Sequence, residues 1–357
     1  MQTQSKFRLL VVRLGAMGDI LHALPAVTAL RVAHPEWEID WVVEPMWRGL
    51  LAAESSTGRD TGLQAPMQPL VDRIHFAGTR QWRHNLLARQ TRQEIGALRG
   101  TLTQDQFDAV IDFQGALRSA VIGRMARSCR YIGESKPREW AARWLFTDRI
   151  RTRGEHVIEQ DVELASSVAG DALAPVQPLL PVDPAAEAWA DGILRSGEPV
   201  VLINPGAGWG AKRWPVERYA EVARVLLNRE FRILVNAGPG EVLLANEIVK
   251  RTGGGANPLL CSVEQLVAIT RRVCLVIAGD TGPLHLACAL GRPVVGIYGP
   301  TDPGRNGPFG TRFKVLRSPD SRRDHARREA PEAGLLTITP EDVLQATEEL
   351  LYSGTAR

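Results

Sequence analysis

The densest run of side chains able to do chemistry is Val276–Pro303, VIAGDTGPLHLACALGRPVVGIYGPTDP. Val276 and Ile277 close an apolar strand, Gly279 permits a tight turn, and Asp280-Thr281-Gly282-Pro283 opens a helix with proline near its first turn. Such a start aims backbone N–H groups outward. Their dipoles and missing intrahelical partners attract an anion, a diphosphate above all. Asp280 and Thr281 also fit a plain capping role. Capping leaves His285 unexplained, one turn inside the helix and able to face the same opening. After Gly291 a second apolar strand, Pro293–Tyr298, ends in the turn Gly299-Pro300-Thr301-Asp302-Pro303. In open α/β sheets ligands sit beyond the carboxyl ends of the strands, where both the Asp280 and the Thr301 turns fall.

Other strand exits carry similar groups. Asn204–Pro215, NPGAGWGAKRWP, leaves a strand through small residues and puts Lys212 and Arg213 just before a helix. Small residues admit a ligand to the backbone. Lys212 offers a mobile point charge and Arg213 a planar fork to a phosphate, unless both are solvated loop charges. Glu241, closing Ala237-Gly238-Pro239-Gly240-Glu241, suits ribose hydroxyls and equally a first-turn helix charge. In the first half, the turn Leu14–Asp19 lacks the G-x-G-x-x-G spacing of a nicotinamide dinucleotide site. Its Asp19 is either the cap of a helix starting at Ile20 or a carboxylate that accepts a proton from an attacking hydroxyl. His22, a turn further on, reads as structural. Asp112–Ser119, DFQGALRS, delivers Gln114 and Arg118 where another strand ends and a helix opens. No carboxylate pair stands at metal-ligand spacing, so no divalent ion is expected.

These loops need two alternating frameworks to hold them. A chain of 357 residues exceeds the usual single core, and 44% hydrophobic content supports two. In the first half, strands are expected at Arg8–Arg13, Ile39–Val43 and Phe107–Phe113, with a short apolar patch at Arg73–Phe76. Helices are expected at Ile20–Val32 and in a segment ending near Gly100. Leu51–Pro69 is polar and Gly-rich. Pro175, Pro178, Pro181 and Pro184 mark a connection around one short helix between Ala172 and Pro199. The pattern then restarts with strands Val200–Asn204 and Arg232–Ala237 and helices Val216–Asn228 and Glu241–Lys250. Arg317–Gly334 is charged and irregular, and an amphipathic helix Pro340–Leu351 closes the chain. The class is α/β, in two doubly wound domains.

The net charge of +3 is too small for a dedicated nucleic-acid binder. It is unevenly placed. Arg73–Arg153 holds 16 Arg and Lys against 7 Asp and Glu, which suits an acidic small molecule or an anionic lipid head group, although any one Arg can be a solvated charge. The four cysteines, Cys129, Cys261, Cys274 and Cys288, show no C-x-x-C pair and read as buried reduced thiols. No apolar run reaches the roughly 18 to 20 residues of a membrane span, so a cytoplasmic protein is expected.

Gly18-Asp19 with Leu24-Pro25, Asp112-x-Gln114-Gly115, Lys212-x-Trp214-Pro215, Asp280-Thr281-Gly282-x-x-His285 and Tyr298-Gly299-Pro300-Thr301 follow one another nearly end to end. In that order they resemble the ADP-heptose:lipopolysaccharide heptosyltransferases. The resemblance implies a GT-B fold of two facing Rossmann-like domains with a cleft between them, residues 1–175 binding the acceptor and 176–357 the nucleotide sugar. Gln114-Gly115-x-x-Arg118-Ser119, with Arg138-Glu139-Trp140 and the aromatic run to Phe146, looks most like heptosyltransferase I, which adds the first heptose to Kdo on lipid A. Ala207 and Gly208, in a loop that is threonine-rich in some type I members, resemble the second enzyme more.

Carried over by position, Asp19 is the general base, and Lys212, Thr281, Gly282 and the helix start hold the diphosphate of ADP-heptose. Asp280 and His285 contact sugar or phosphate, and Glu241 the ribose. Gln114 and Arg118, with Arg80 and Arg83 of the basic region, face the acceptor, Kdo-lipid A. The reaction implied is direct displacement with inversion, through an oxocarbenium-like transition state and without cofactor or metal. It implies work at the inner face of the cytoplasmic membrane as a peripheral protein. A nucleotide-sugar epimerase and a non-catalytic nucleotide-binding module fit the same architecture.

Overall fold

Runs of Val, Ile and Leu that are apolar on both faces are satisfied inside a parallel sheet covered by helices, and both halves of the chain take that form. The computed structural model describes residues 6–53, 70–194, 197–324 and 328–352, so most of the polar stretch expected at Leu51–Pro69 lies outside the described residues. In one unit, Met1–Pro184, the strands are β1 (Arg8–Val12), β2 (Glu38–Val43), β3 (Arg73–Phe76), β4 (Ala109–Asp112), β5 (Arg130–Glu134) and β6 (Asp148–Ile150). They form a parallel sheet in the order β3-β2-β1-β4-β5-β6. In the other, Ala185–Arg357, they are β7 (Val200–Asn204), β8 (Arg232–Asn236), β9 (Asn257–Leu259), β10 (Leu275–Gly279), β11 (Val294–Tyr298) and β12 (Phe313–Arg317). Their order is β12-β11-β10-β7-β8-β9, again all parallel. Counted from its own first strand, each sheet has the same order. Each therefore reverses direction between its first and fourth strands, β1 and β4 in one unit and β7 and β10 in the other. Those four strands end in the loops singled out above for their chemistry.

The helix Met17–Ala33 is buried along most of its length, between the sheet and the helix Val157–Ala169. It begins at Met17 rather than Ile20, because Ala16 is extended and the Asp19 carboxylate accepts the Ala16 N–H, completing the first turn earlier. Gly15, at φ +152°, is required beside it: a Cβ there would lie 2.8 Å from Trp47 Nε1. The helix expected to end near Gly100 runs from Arg89 to Gln104. Leu98 and Leu102 bury on one face of it, and a glycine with open space around it weakens a helix without ending it.

The sequence pattern did not mark β5, β6, β9, β12 or the helices Val157–Ala169 and Val263–Thr270. β6 and β9 are three residues long, too short for a periodicity, and β5 (RYIGE) breaks its apolar run with Gly133 and charges. The division between units falls at Pro184, inside the proline-rich stretch and later than residue 175. Leu173 still bonds to Ser166 of the first unit, whereas the helix Pro184–Ile193 is fastened to the second by Glu187 with Arg271 and Arg272.

Each unit has its own core. Leu10, Val12, Val110, Tyr131 and Phe146 lie in the first, and Val201, Ile203, Trp214, Tyr219 and Ile277 in the second. All four cysteines are free, but only Cys288 is fully buried, its thiol pushed up to about 12 by that burial; Cys129 is exposed, contrary to expectation, on the turn before β5. Among the described residues no helix is long and apolar enough to cross a membrane.

Candidate active site

In the second unit, β7 and β10 are neighbours, with Ala278 opposite Asn204, so the Lys212 loop and the Asp280 turn leave the sheet side by side. Thr281 occupies the cap position of the helix Gly282–Ala289, yet its hydroxyl does not cap. Thr281 Oγ1 donates to the Gly279 carbonyl at 3.2 Å and accepts from Asn204 Nδ2 at 3.3 Å. Pro283 has no N–H and those of Leu284 and His285 donate to the Thr281 carbonyl, so the amides of Thr281 and Gly282 are the ones this helix start offers to an anion.

Asp280 is buried between Lys212 and His285. One carboxylate oxygen pairs closely with Lys212 Nζ and the other lies 3.2 Å from His285 Nε2. Burial alone would raise its pKa. The His285 hydrogen bond and the Lys212 charge outweigh that and hold the carboxyl well below the usual carboxylate range. The sequence reading put Asp280 on sugar or phosphate. In the structure its two oxygens engage Lys212 and His285, which positions both side chains. A carboxyl depressed on folding contributes stability above its unfolded value and loses it as pH falls through the folded one. The urea midpoint of the wild type should thus exceed that of Asp280→Asn by a constant margin near neutrality, and the margin should shrink below about pH 4. A margin that grows with acid would contradict the pairing.

Lys212 ends a short 3-10 turn, Gly210–Lys212, with its ammonium 4.3 Å from the centre of the Trp209 ring. The loop is anchored from behind by Trp214, whose indole N–H donates to the Ile338 carbonyl and whose ring packs edge-on against Tyr219. Ala211 exchanges further backbone bonds with Arg328 and Glu332. Arg213 is exposed and turns back to the Ala207 carbonyl at 3.3 Å. Glu241 caps the helix Val242–Arg251 by position only: its carboxylate accepts the Gly238 N–H at 3.0 Å and lies where a methyl on Gly206 would overlap it. It thus sits at the joint exit of β7 and β8.

Two residues that sequence reasoning missed join these exits. Asn236 Nδ2 donates to Asn204 Oδ1 at 2.7 Å, and Asn204 Nδ2 reaches Gly206 and Thr281, tying the ends of β8, β7 and β10 together. Both asparagines are buried. A polar amide as the last residue of an otherwise apolar strand, twice over, was the available signal.

In the first unit, Asp19 stands at the third position of its helix, its carboxylate taking the Ala16 N–H at 3.1 Å and pairing with Arg13 at 3.3 Å. The side chain stays 36% exposed. Arg13 is the missed partner, a buried cation that also binds the Asp19 and Phe113 carbonyls, and its interruption of an apolar strand was the clue. Gln114 Oε1 accepts the Leu14 N–H at 2.8 Å, so the β1 and β4 exits are stitched together, while its buried Nε2 has no hydrogen-bond partner among the described residues. Asp112 shapes that exit by accepting the N–H groups of Gln114 and Gly115, and burial raises its pKa. His22 is buried, with its ring edge-on to that of His156.

Arg80, Arg83 and Arg118 are all exposed. Arg80 lies 5.9 Å from the Trp47 ring. Arg80 and Arg83 follow β3 and Arg118 follows β4, three strand spacings or about 14 Å across the sheet, so the fold does not gather them at one point. The one cluster of potential metal ligands among the described residues is Asp40, His75 and Asp105, which no linear spacing reveals. It lies toward the amino edge of the sheet, and the guanidinium groups of Arg73 and Arg8 already engage Asp105.

Two parallel sheets of one strand order, each with its polar loops at the reversal point, are the doubly wound units of the GT-B fold class. The chain belongs to glycosyltransferase family 9 (heptosyltransferase), whose model matches residues 95–335. It is similar to lipopolysaccharide heptosyltransferase 1 of Escherichia coli strain K12, at 28% identity over 317 residues, 87% of this chain and 94% of that one. Lipooligosaccharide heptosyltransferase 2 of Haemophilus influenzae is 24% identical over 367 residues, 96% and 99% of the two chains. Among solved structures, E. coli heptosyltransferase WaaC with ADP-2-deoxy-2-fluoro heptose has a TM-score of 0.76 at 27% identity, over 96% of this chain and 99% of that chain. Family membership sets aside the epimerase and the non-catalytic module.

Proposed function

We propose that this enzyme transfers L-glycero-D-manno-heptose from ADP-heptose to the Kdo sugar of the lipopolysaccharide inner core, with inversion. The observation that carries the reading is the Lys212–Asp280–His285 constellation beside a helix start without a side-chain cap, a cation held where a diphosphate would seat. The likeness to a heptosyltransferase solved with an ADP-heptose analogue supports the same donor. Asp19 takes the proton of the acceptor hydroxyl as its oxygen attacks the anomeric carbon. The bond from that carbon to the diphosphate oxygen breaks, and ADP leaves with the electron pair. Lys212 and the amides from Thr281 and Gly282 stabilise the charge on ADP, without a metal ion or cofactor. Glu241 binds the ribose. Gln114, Arg80, Arg83 and Arg118 serve the anionic acceptor at the inner face of the cytoplasmic membrane.

The Glu241 assignment has its own test. Gly206→Ala pushes the Glu241 carboxylate off the Gly238 N–H, and by calorimetry should weaken ADP binding roughly tenfold, as Glu241→Ala does, with little loss of stability. Unchanged ADP affinity in both variants would leave Glu241 a helix-end charge alone.

Transfer to heptose, the type II reaction, is the second reading, favoured by Ala207 and Gly208 in the Lys212 loop. Incubation with ADP-heptose and Kdo-lipid A, or with the same acceptor already carrying one heptose, followed by mass measurement of the product, separates the two. Gain of one heptose by Kdo-lipid A supports the first reading and gain only by the heptosylated acceptor the second. No gain by either overturns both.

A further inference from the structure

The β5–β6 connection carries an exposed cluster that the site described above does not use. Trp140 and Trp144 are 59% and 62% exposed, their ring centres 5.3 Å apart. The Arg143 guanidinium lies 4.8 Å from the first ring and 5.6 Å from the second, and Arg149 lies 5.3 Å from the second. Arg149 Nε also donates to the Arg143 carbonyl at 3.0 Å, which fixes the two cations beside the two indoles. The helix Leu117–Arg124 packs against this turn and adds Leu117 and Val121, one helical turn apart and both exposed.

We propose that this cluster is the surface by which the enzyme seats on an anionic bilayer. Indole is an amphipathic ring that favours the boundary between head groups and acyl chains, and arginine buries its stem while its head stays at the phosphates. Aliphatic side chains beside two tryptophans supply apolar area for that boundary, and the guanidinium groups supply attraction to anionic lipid. Charge decides for a bilayer over a protein partner. The region Arg73–Arg153 has nine more cations than anions, and the acids that flank the cluster in sequence are engaged, Glu139 with the Leu117 N–H and Asp148 with Arg130.

Position agrees. Glu139 N–H donates to the Gly115 carbonyl at 2.9 Å, so the cluster is fastened to the β4 exit that carries Gln114. The inference rests on the acceptor reading in this one respect: a lipid-borne acceptor is then presented next to the exit that receives its sugar. The cluster lies toward the opposite edge of the sheet from β3, which Arg80 and Arg83 follow.

The test is flotation of the full chain with vesicles of phosphatidylcholine alone or mixed with phosphatidylglycerol, in the absence of donor and acceptor. Wild type should float with the mixed vesicles and not with phosphatidylcholine. Trp140→Ala/Trp144→Ala should lower the affinity roughly tenfold or more, and Arg143→Glu/Arg149→Glu at least as much, with circular dichroism unchanged. Both variants should keep wild-type transfer to a lipid-free acceptor fragment. Equal flotation of wild type and variants overturns the proposal. So does a wild-type dimer in sedimentation that the tryptophan variant converts to monomer, since the cluster would then bind a second copy. Because flotation needs no turnover, its failure is distinct from failure of the heptosyl-transfer reading.

Discussion

Replacement of Asp19 by asparagine is expected to lower transfer by about 10² to 10⁴ while leaving ADP affinity unchanged. The amide oxygen can still accept the Ala16 N–H, so that bond at the helix start is kept, while the ability to take a proton and the charge pairing with Arg13 are lost. Asp19 belongs to the first unit, whereas Lys212, Glu241, Thr281 and His285 belong to the second, which is why nucleotide binding should not register the change. Alanine should cost the same in rate and somewhat more in stability, through the further loss of the Ala16 bond, worth about 0.5 to 1.5 kcal/mol. Single-turnover rates and calorimetry with ADP check this. Turnover within tenfold of wild type in the asparagine variant would remove Asp19 from the proton transfer and leave it the helix-start role it visibly has.

Lys212→Ala is expected to reduce kcat by roughly 10² to 10³ and donor affinity by much less, because the ammonium meets charge that grows as the bond to ADP breaks. The structure adds a second consequence. Lys212 and Asp280 are both largely buried, so removing the lysine leaves a carboxylate paired with His285 alone, a loss of the kind that costs about 3 to 5 kcal/mol. The two effects separate in the double variant Lys212→Ala/Asp280→Asn, which should regain thermal stability and not turnover. Equal losses in kcat and affinity would show that Lys212 binds ground state and transition state alike. Turnover restored in the double variant would show that the single variant failed through the stranded carboxylate.

Much of this was legible in the sequence because the second unit is built from strong local signals. β7 and the helix Val216–Asn228 fall on their expected bounds, and β10, its turn and the helix after it follow as expected. The loops were identifiable because strand exits at a sheet's reversal point combine glycine, hydroxyl and charge in a way a buried strand never does. What stayed hidden depends on pairs distant in sequence. That Asp280 is held by Lys212, that Asn204 meets Asn236, and that Arg13 reaches Phe113 follow from strand order and register, which no linear pattern states. The short strands β6 and β9 exist only because a longer neighbour offers them its edge. The Trp140 and Trp144 cluster was read as part of a subtype motif, since exposure cannot be seen in residue type.

The repetition of one strand order in both sheets bears on how such enzymes diversify. Each unit carries its polar groups on loops that its own core does not need, at the same topological address, so under the proposed division of labour a lineage can rewrite the β1 and β4 exits while the β7 and β10 exits stay as they are. Selection then acts on two nearly independent vocabularies. A new acceptor sugar does not require relearning the nucleotide, and the Arg13 and Gln114 stitches on one side, like the Asn204–Asn236 bond on the other, are the grammar that any rewritten loop must keep.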